Sequence, residues 1–155
     1  MARKKLIITL AAILAVLLLA CIIIYVLGLR YRKLSDNKIL IKTQSGNFIV
    51  TLYDNPTAED LLQKLPLTLN VSDYPGYDEK VIRLNDGLSM ENAPQGDCPL
   101  IPEVGYYEPG NWIAIYYGFI GYWPGKVPLG KIDASTSDIA SIPSNTTVSI
   151  ERYEE

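Results

Sequence analysis

The longest uncharged stretch of the chain is the feature that most restricts its fold. From Leu6 to Leu29 the sequence LIITLAAILAVLLLACIIIYVLGL carries no charge. A helix of that length covers roughly 36 Å, whereas a bilayer core is about 30 Å thick. The run therefore predicts a single N-terminal transmembrane signal-anchor helix over residues 6–29, preceded by a short basic flank at residues 1–5.

Two other interpretations of this run stay open. A cleaved signal peptide has an apolar core of only about 7–15 residues, which is shorter than this run. A lipoprotein cleavage site is also conceivable, since Leu-Leu-Ala precedes Cys21, but the residues after that cysteine stay apolar where a mature lipoprotein would turn polar. Both comparisons favour an anchor that is not cleaved.

Charged residues are distributed unevenly along the chain. Six of the 14 Lys and Arg residues lie in the first 33 positions, and all 17 Asp and Glu residues lie after them. The remainder is strongly acidic, and a surface of that sign repels phosphate backbones, so we do not expect a nucleic-acid partner.

Basic residues flank the apolar run on both sides, three before it and three after it. The rule that the more basic flank stays in the cytoplasm therefore hardly distinguishes the two orientations. The free amino group, the five-residue front segment and the acidic remainder favour the amino end inside. We expect a single-pass protein of the cell membrane with its domain on the extracytoplasmic side.

After a linker at residues 30–37, residues 38–155 predict one small domain. Alternation in NKILIKT and NFIVTLY predicts a hairpin, and Asn55 and Pro56 predict the start of a helix that Pro66 ends. Further strands are predicted in LPLTLNVSDY, EKVIRL, GYYEPGNWIAIYYG, KVPLGKID and TTVSIERY, with a long loop over Asn85–Pro102 and a short helix over Ser135–Ser141. Many short strands with one or two short helices predict a mainly β fold, a small closed barrel.

The order of these segments resembles a known family. GNFIVTLYDNPTAEDLLQKLPLTL resembles the first strands and first helix of the cyclophilin-like fold. EKVIRL, the Gly-Tyr-Tyr segment before GNWIAIYYG, and PLGKID then follow as in the bacterial cyclophilin-like family of small domains, over about residues 38–153. The resemblance implies a small cyclophilin-like β-barrel behind the anchor. Because that family also occurs fused to flavodoxin-like domains, it implies docking on a flavodoxin-like redox partner as one function.

The same resemblance suggests prolyl isomerisation, which in cyclophilins depends on an arginine within a Phe-His-Arg strand. This chain has no histidine, and the arginines of its domain, Arg83 and Arg152, stand in other contexts. Arg83 is the position that could act as that arginine, although a solvated strand residue is the ordinary interpretation. We therefore assign no catalytic residue and keep a degenerate peptidyl-prolyl cis-trans isomerase as the alternative.

The composition also argues against other chemistry. Absence of histidine removes Ser-His-Asp sites and histidine metal sites, and the glycines do not form a phosphate-binding loop. We expect no metal and no cofactor.

Aromatic residues are concentrated between positions 106 and 123. Tyrosine and tryptophan combine apolar area with a polar tip, which suits binding surfaces. A candidate ligand groove is lined by Tyr106, Tyr107, Trp112, Tyr116 and Tyr122, with the Asn85–Pro102 loop as its wall. Alternatively, both faces of these strands are buried, since alternation puts Trp112, Ala114 and Tyr116 on one face and Ile113, Ile115 and Tyr117 on the other. The groove predicts a binding module for a peptide, a protein or a small molecule.

Overall fold

The structure is a computed structural model that describes residues 2–154, and the chain divides between Arg30 and Tyr31 into two compact units. The first unit is helix α1 (Ala2–Leu29), whose large apolar side chains, among them Leu14, Val16 and Leu17, are exposed. With its basic flanks, the stretch Arg3–Arg32 is long and apolar enough to cross a membrane.

In its described residues the second unit, here called the barrel unit, contains a one-turn 3₁₀ helix at Glu108–Gly110 together with ten strands and two short α-helices. In chain order they are β1 (Leu34–Lys42), β2 (Asn47–Tyr53), α2 (Pro56–Lys64), β3 (Leu67–Asp73), β4 (Glu79–Arg83), β5 (Gly96–Asp97), β6 (Glu103–Tyr107), β7 (Trp112–Tyr116), β8 (Trp123–Pro124), β9 (Lys126–Asp133), α3 (Thr136–Ala140) and β10 (Thr146–Arg152).

Eight of these strands close into an antiparallel barrel in the order β1-β10-β3-β4-β7-β6-β9-β2, and β5 and β8 pair separately. Closure gives each barrel strand a neighbour on both sides, which removes the exposed edges of an open sheet. The mainly β closed barrel with short helices that the sequence predicts is confirmed.

Helix α2 forms for the reasons visible in the sequence. Asn55 has an extended backbone and its side-chain oxygen accepts a hydrogen bond from the Ala58 amide at 2.9 Å, and Pro56 occupies the first turn. Leu61 and Leu62 are buried in the main core, so the helix covers part of the barrel interior. The cap and the proline start are confirmed.

Alternation divides β7 between two apolar clusters. Ile113 and Ile115 point into the barrel and belong to its main core. Trp112, Ala114 and Tyr116 point outward, yet they are also buried, in a second cluster with Val81 and Ile120. The face assignment made from sequence is confirmed, and the outer face of the barrel is covered here.

The amino-terminal edge of the barrel unit lies earlier than the sequence analysis places it. Residues 34–37, assigned there to a linker, begin β1, and Leu34 pairs with Tyr53. The pairing register shifts between Leu34 and Lys38, so the polar residues between them form an irregularity that hides the strand from a test of strict alternation.

Candidate functional site

The outer face of four adjacent strands, β4, β7, β6 and β9, carries the side chains of interest. Cross-strand pairing aligns Glu79 with Tyr116 and Tyr116 with Glu103. Four residues further along, Trp112 is aligned with Tyr107, which pairs with Lys126. Between these rows lie Ala114 and Gly105, and their small size leaves space that larger neighbours fill.

Five aromatic rings in this region contact one another in a closed circuit. Ring centroids are 4.8 Å apart for Trp112 and Tyr107, 5.8 Å for Tyr107 and Trp123, 5.2 Å for Trp123 and Tyr77, 5.7 Å for Tyr77 and Tyr74, and 5.5 Å for Tyr74 and Trp112. These separations lie in the range in which aromatic pairs attract beyond simple burial. We call these five residues the aromatic circuit.

Lys126 is buried beside the aromatic circuit. Its ammonium lies 4.6 Å from the ring centre of Tyr116 and 5.0 Å from that of Trp123, and 3.4 Å from Oε2 of Glu79. Burial lowers the pKa of Lys126 against the opposing charge of Glu79, and burial raises the pKa of the Glu79 carboxyl against Lys126. Burial therefore favours the neutral form of both side chains in this long ion pair.

Two buried polar atoms at this site have no hydrogen-bond partner in the described structure: Nε1 of Trp112 and the hydroxyl of Tyr116. The Tyr116 ring lies against the backbone of Gly105, where a Cβ would come within 2.9 Å of it. Burial raises the pKa of Tyr116 well above its usual value, so the hydroxyl keeps its proton and can donate it to an acceptor. Buried polar groups in folded proteins are nearly always paired, so two unpaired ones on the same face of one strand are unusual.

A covering loop, residues 117–125, passes over this site. Ile120 anchors it in the outer cluster, and Trp123 Nε1 donates to the Ile120 carbonyl at 3.3 Å. Its ends are held by backbone hydrogen bonds from Tyr117 to the Asp78 carbonyl and from Gly125 to the Gln95 carbonyl. In contrast, the side chain of Phe119 in the middle of the loop is 83% exposed.

The structure brings together three of the five predicted groove residues, namely Tyr107, Trp112 and Tyr116. Tyr106 points into the barrel, where its hydroxyl donates to Asn111 Oδ1 at 3.0 Å. Tyr122 is exposed on the covering loop, and its hydroxyl lies against Gly96 of β5, inside the Asn85–Pro102 segment predicted as the wall. Whether these residues bind a ligand stays a prediction.

Arg83 lies at the margin of the aromatic circuit. It is an exposed residue of β4, with its guanidinium 4.8 Å from the Trp112 ring centre and Nη1 donating to the Gly110 carbonyl at 3.3 Å. Its position fits the solvated strand residue that the sequence analysis favours.

Sequence reasoning missed Lys126, Glu79, Tyr74 and Tyr77. The two tyrosines stand on either side of the Pro-Gly turn in DYPGYD. The two charged residues begin strands at positions that ordinarily face water. One sequence feature could have indicated these residues: aromatic residues stand on both sides of a proline-glycine turn, just before a strand that begins with Glu.

A second buried charge cluster surrounds Arg32, at the start of the barrel unit. Its Nε donates to Glu103 Oε1 at 2.7 Å, and its Nη2 donates to Glu103 Oε2 at 2.9 Å and to Asp97 Oδ2 at 2.6 Å. The Tyr53 hydroxyl and the Leu100 amide also donate to Glu103, each at 2.9 Å. Burial raises the pKa of Glu103, opposed by its hydrogen bonds with Arg32, and burial with the nearby Glu103 charge raises the pKa of Tyr53. The hydrogen-bond network accounts for this cluster structurally.

A cavity of about 370 Å³ lies elsewhere, between the first residues of β1 and the start of α2. Its polar lining already has internal roles: Asn55 caps α2, Asp54 pairs with Lys33, and Ser35 donates to the Leu52 carbonyl. Since the unpaired buried polar atoms lie at the aromatic circuit, we place the candidate site there rather than in this cavity.

The barrel unit is thus a small domain built on a closed, eight-stranded antiparallel β-barrel with short helices. The model of the Cyclophilin-like family matches residues 41–151, so the chain belongs to that family. The solution structure of the hypothetical protein AF2241 from Archaeoglobus fulgidus is similar in fold, with a TM-score of 0.64 and 20% identity over 78% of this chain and 98% of that one. No curated protein matches the chain.

Proposed function

We propose that this protein is a membrane-anchored, extracytoplasmic cyclophilin-like module that binds peptide segments at the aromatic circuit without catalysing a reaction on them. The observation that carries the proposal is the pair of buried donors, Trp112 Nε1 and the Tyr116 hydroxyl, that no group of the described structure accepts. An unpaired buried donor costs free energy, and an acceptor from a ligand that enters beneath the covering loop would recover it.

The chemistry of the site selects the ligand class. The Trp112 indole can only donate, and the Tyr116 hydroxyl can donate as well as accept, so a ligand with acceptor oxygens, such as a peptide with its carbonyls, suits both groups. The surrounding rings offer flat apolar surface to the side chains between those carbonyls. A peptide with small or ring-shaped apolar residues combines both features.

Anchoring is supported by the length and composition of the N-terminal helix, and the extracytoplasmic side by the basic five-residue front segment. Cys98 is exposed on the barrel unit and gives a direct test of sidedness. With Cys21→Ser removing the second thiol, a membrane-impermeant maleimide should label Cys98 in intact cells. Labelling that requires cell lysis would put the domain in the cytoplasm.

Binding can be followed by the protein's own fluorescence, because both of its two tryptophans, Trp112 and Trp123, belong to the aromatic circuit. We expect proline-containing peptides, titrated onto the full chain in lipid nanodiscs, to shift its tryptophan emission. Tyr116→Phe should weaken binding roughly fivefold to tenfold, the effect of one lost hydrogen bond. Tyr153→Phe, which changes a tyrosine after β10, is the matched control and should bind normally. Emission that no peptide changes would refute the proposal.

Prolyl isomerisation is the second candidate, favoured by the position of Arg83 over the Trp112 ring at the margin of the site. If the protein is an isomerase, substoichiometric amounts should produce cis–trans exchange peaks in peptide NMR spectra, and Arg83→Ala should abolish them while leaving binding intact. Trp112→Ala should instead abolish binding. Binding without exchange supports the module that we propose.

A further inference from the structure

The buried cluster around Arg32 fixes the first residues of the barrel unit. The Arg32 side chain is only 7% exposed and is bound to Glu103 and Asp97. Helix α1 ends at Leu29, three residues earlier. Consecutive Cα atoms are 3.80 Å apart, so the chain can place Leu29 and Arg32 no more than about 11 Å from each other, whatever direction the helix takes.

Three exposed apolar side chains lie around this fixed point. Leu34 is 51% exposed, Leu100 47% and Ile101 38%. The Leu100 amide donates to the same Glu103 carboxylate that binds Arg32, and Leu34 pairs with Tyr53, whose hydroxyl donates to that carboxylate. We call these three residues the membrane-proximal patch. Lys33, beside it in sequence, keeps its ammonium at the surface, paired with Asp54.

We infer that the membrane-proximal patch inserts into the headgroup region of the same bilayer that holds α1. This inference rests on the proposed membrane anchoring. Exposed large aliphatic side chains gain free energy when they are buried at the boundary between the headgroups and the acyl chains of a bilayer. Because the anchor fixes the patch within a short chain length of the bilayer, its local concentration there is high, so that a small apolar area suffices for stable contact.

The native cysteines report on the anchor and on the patch separately. Cys21 lies within the apolar helix, and Cys98 is exposed two residues before Leu100. We would attach a nitroxide to each in turn, using Cys98→Ser or Cys21→Ser in the full chain, reconstituted in phosphatidylcholine vesicles containing one quarter phosphatidylglycerol. A third label, Gln44→Cys in a variant lacking both native cysteines, reports from the β1–β2 turn at the far end of β1.

The depth of each nitroxide is measured by comparing two relaxation agents. Oxygen concentrates in lipid, whereas a nickel chelate stays in water. We expect the Cys21 label to be protected from nickel, the Cys98 label to show headgroup-level protection and the Gln44→Cys label to be fully accessible. Leu100→Ser with Ile101→Ser should raise nickel accessibility at Cys98 about threefold, since two apolar contacts with the interface are lost. Phe119→Ser, which changes an exposed apolar residue of the covering loop, is the control and should leave the nickel accessibility of the Cys98 label unchanged.

The outcomes separate the two proposals. A Cys21 label accessible to nickel refutes the anchor. A protected Cys21 with a Cys98 label as accessible as Gln44→Cys refutes the patch alone. Protection of Cys98 that the double serine variant does not reduce, or that grows with the protein-to-lipid ratio, also refutes the patch, because it would point to another protein copy.

Discussion

The two buried charge clusters of the barrel unit differ in how fully their polar groups are paired. Around Arg32, each Glu103 oxygen accepts two hydrogen bonds, and the ion-pair distances are 2.6 and 2.7 Å. Around Lys126, the ion pair is 3.4 Å long, and two neighbouring donors have no acceptor in the described structure. A fully paired cluster is a support for the fold, whereas an under-paired cluster under a loop is where a ligand can add missing bonds.

The largest test of this contrast is Glu103→Gln. It keeps the shape of the side chain but leaves Arg32 offset by Asp97 alone, and breaking a buried pair costs about 3–5 kcal/mol, so we expect a loss near 3 kcal/mol in the free energy of unfolding. Guanidinium denaturation of the full chain in micelles, followed by tryptophan emission, measures it. Lys42→Ala breaks the surface pair with Glu151 and should cost under about 1 kcal/mol. Equal losses of unfolding free energy from Glu103→Gln and Lys42→Ala would show that the buried cluster supports the fold no more than a surface ion pair does.

Replacing both Lys126 and Glu79 should raise the free energy of unfolding, whereas Glu103→Gln lowers it. Lys126→Met with Glu79→Leu removes two charges whose burial is poorly compensated, and such replacements are neutral or stabilise by about 1–4 kcal/mol. We expect a gain of about 1–2 kcal/mol in the same denaturation experiment. The corresponding change at the first cluster, Arg32→Met with Glu103→Leu, leaves Asp97 and the Tyr53 hydroxyl without their partners and should destabilise. A loss from the Lys126 double variant would show that its pair supports the fold.

Two tyrosine hydroxyls give a finer comparison. Tyr53→Phe removes a donor from Glu103 and should cost about 1–2 kcal/mol, whereas Tyr116→Phe removes an unpaired hydroxyl and should change stability by under about 0.5 kcal/mol. Thermal unfolding of the two variants side by side decides this. A Tyr116→Phe variant as unstable as Tyr53→Phe would mean that the Tyr116 hydroxyl has a partner in solution.

The smallest expected effect is a pH dependence. Burial raises the pKa of Glu79 in the folded chain above its ordinary 4.5, so the folded state binds this proton more tightly than the unfolded state. The stabilisation from Glu79 is therefore fully present below pH 4.5 and is lost as the pH rises through the folded pKa. The unfolding free energy of the natural chain minus that of Glu79→Gln should fall as the pH rises above 4.5. A difference that rises with pH would mean that Lys126 lowers the Glu79 pKa.

Local sequence signals predicted most of the fold. Asn55 and Pro56 marked a helix start, and the alternation through Trp112 and Ile113 assigned the two faces of β7, because capping and pleating depend on near neighbours. Tyr106 shows the limit of this reasoning: it was grouped with Tyr107 by aromatic density, although adjacent strand residues face opposite sides.

The charge clusters were beyond local patterns. Arg32 and Glu103 lie 71 positions apart, and Lys126 and Glu79 lie 47 apart. Glu79 and Lys126 are at strand positions that would ordinarily face water, and they are buried only because other segments pack over the outer face of the sheet. Such burial follows from tertiary packing, which spacing along the chain does not report.

The fixed position of Arg32 would limit how far the domain can move from a membrane that holds α1. With β1 beginning at Leu34, only residues 30–33 lie between the end of α1 and the first strand of the barrel. A bilayer that holds α1 would confine the aromatic circuit to a thin layer above its surface, where encounters are governed by lateral diffusion. Ligands that are themselves membrane-attached, or that pass close to the surface as they emerge from it, would meet this domain far more often than freely dissolved ones.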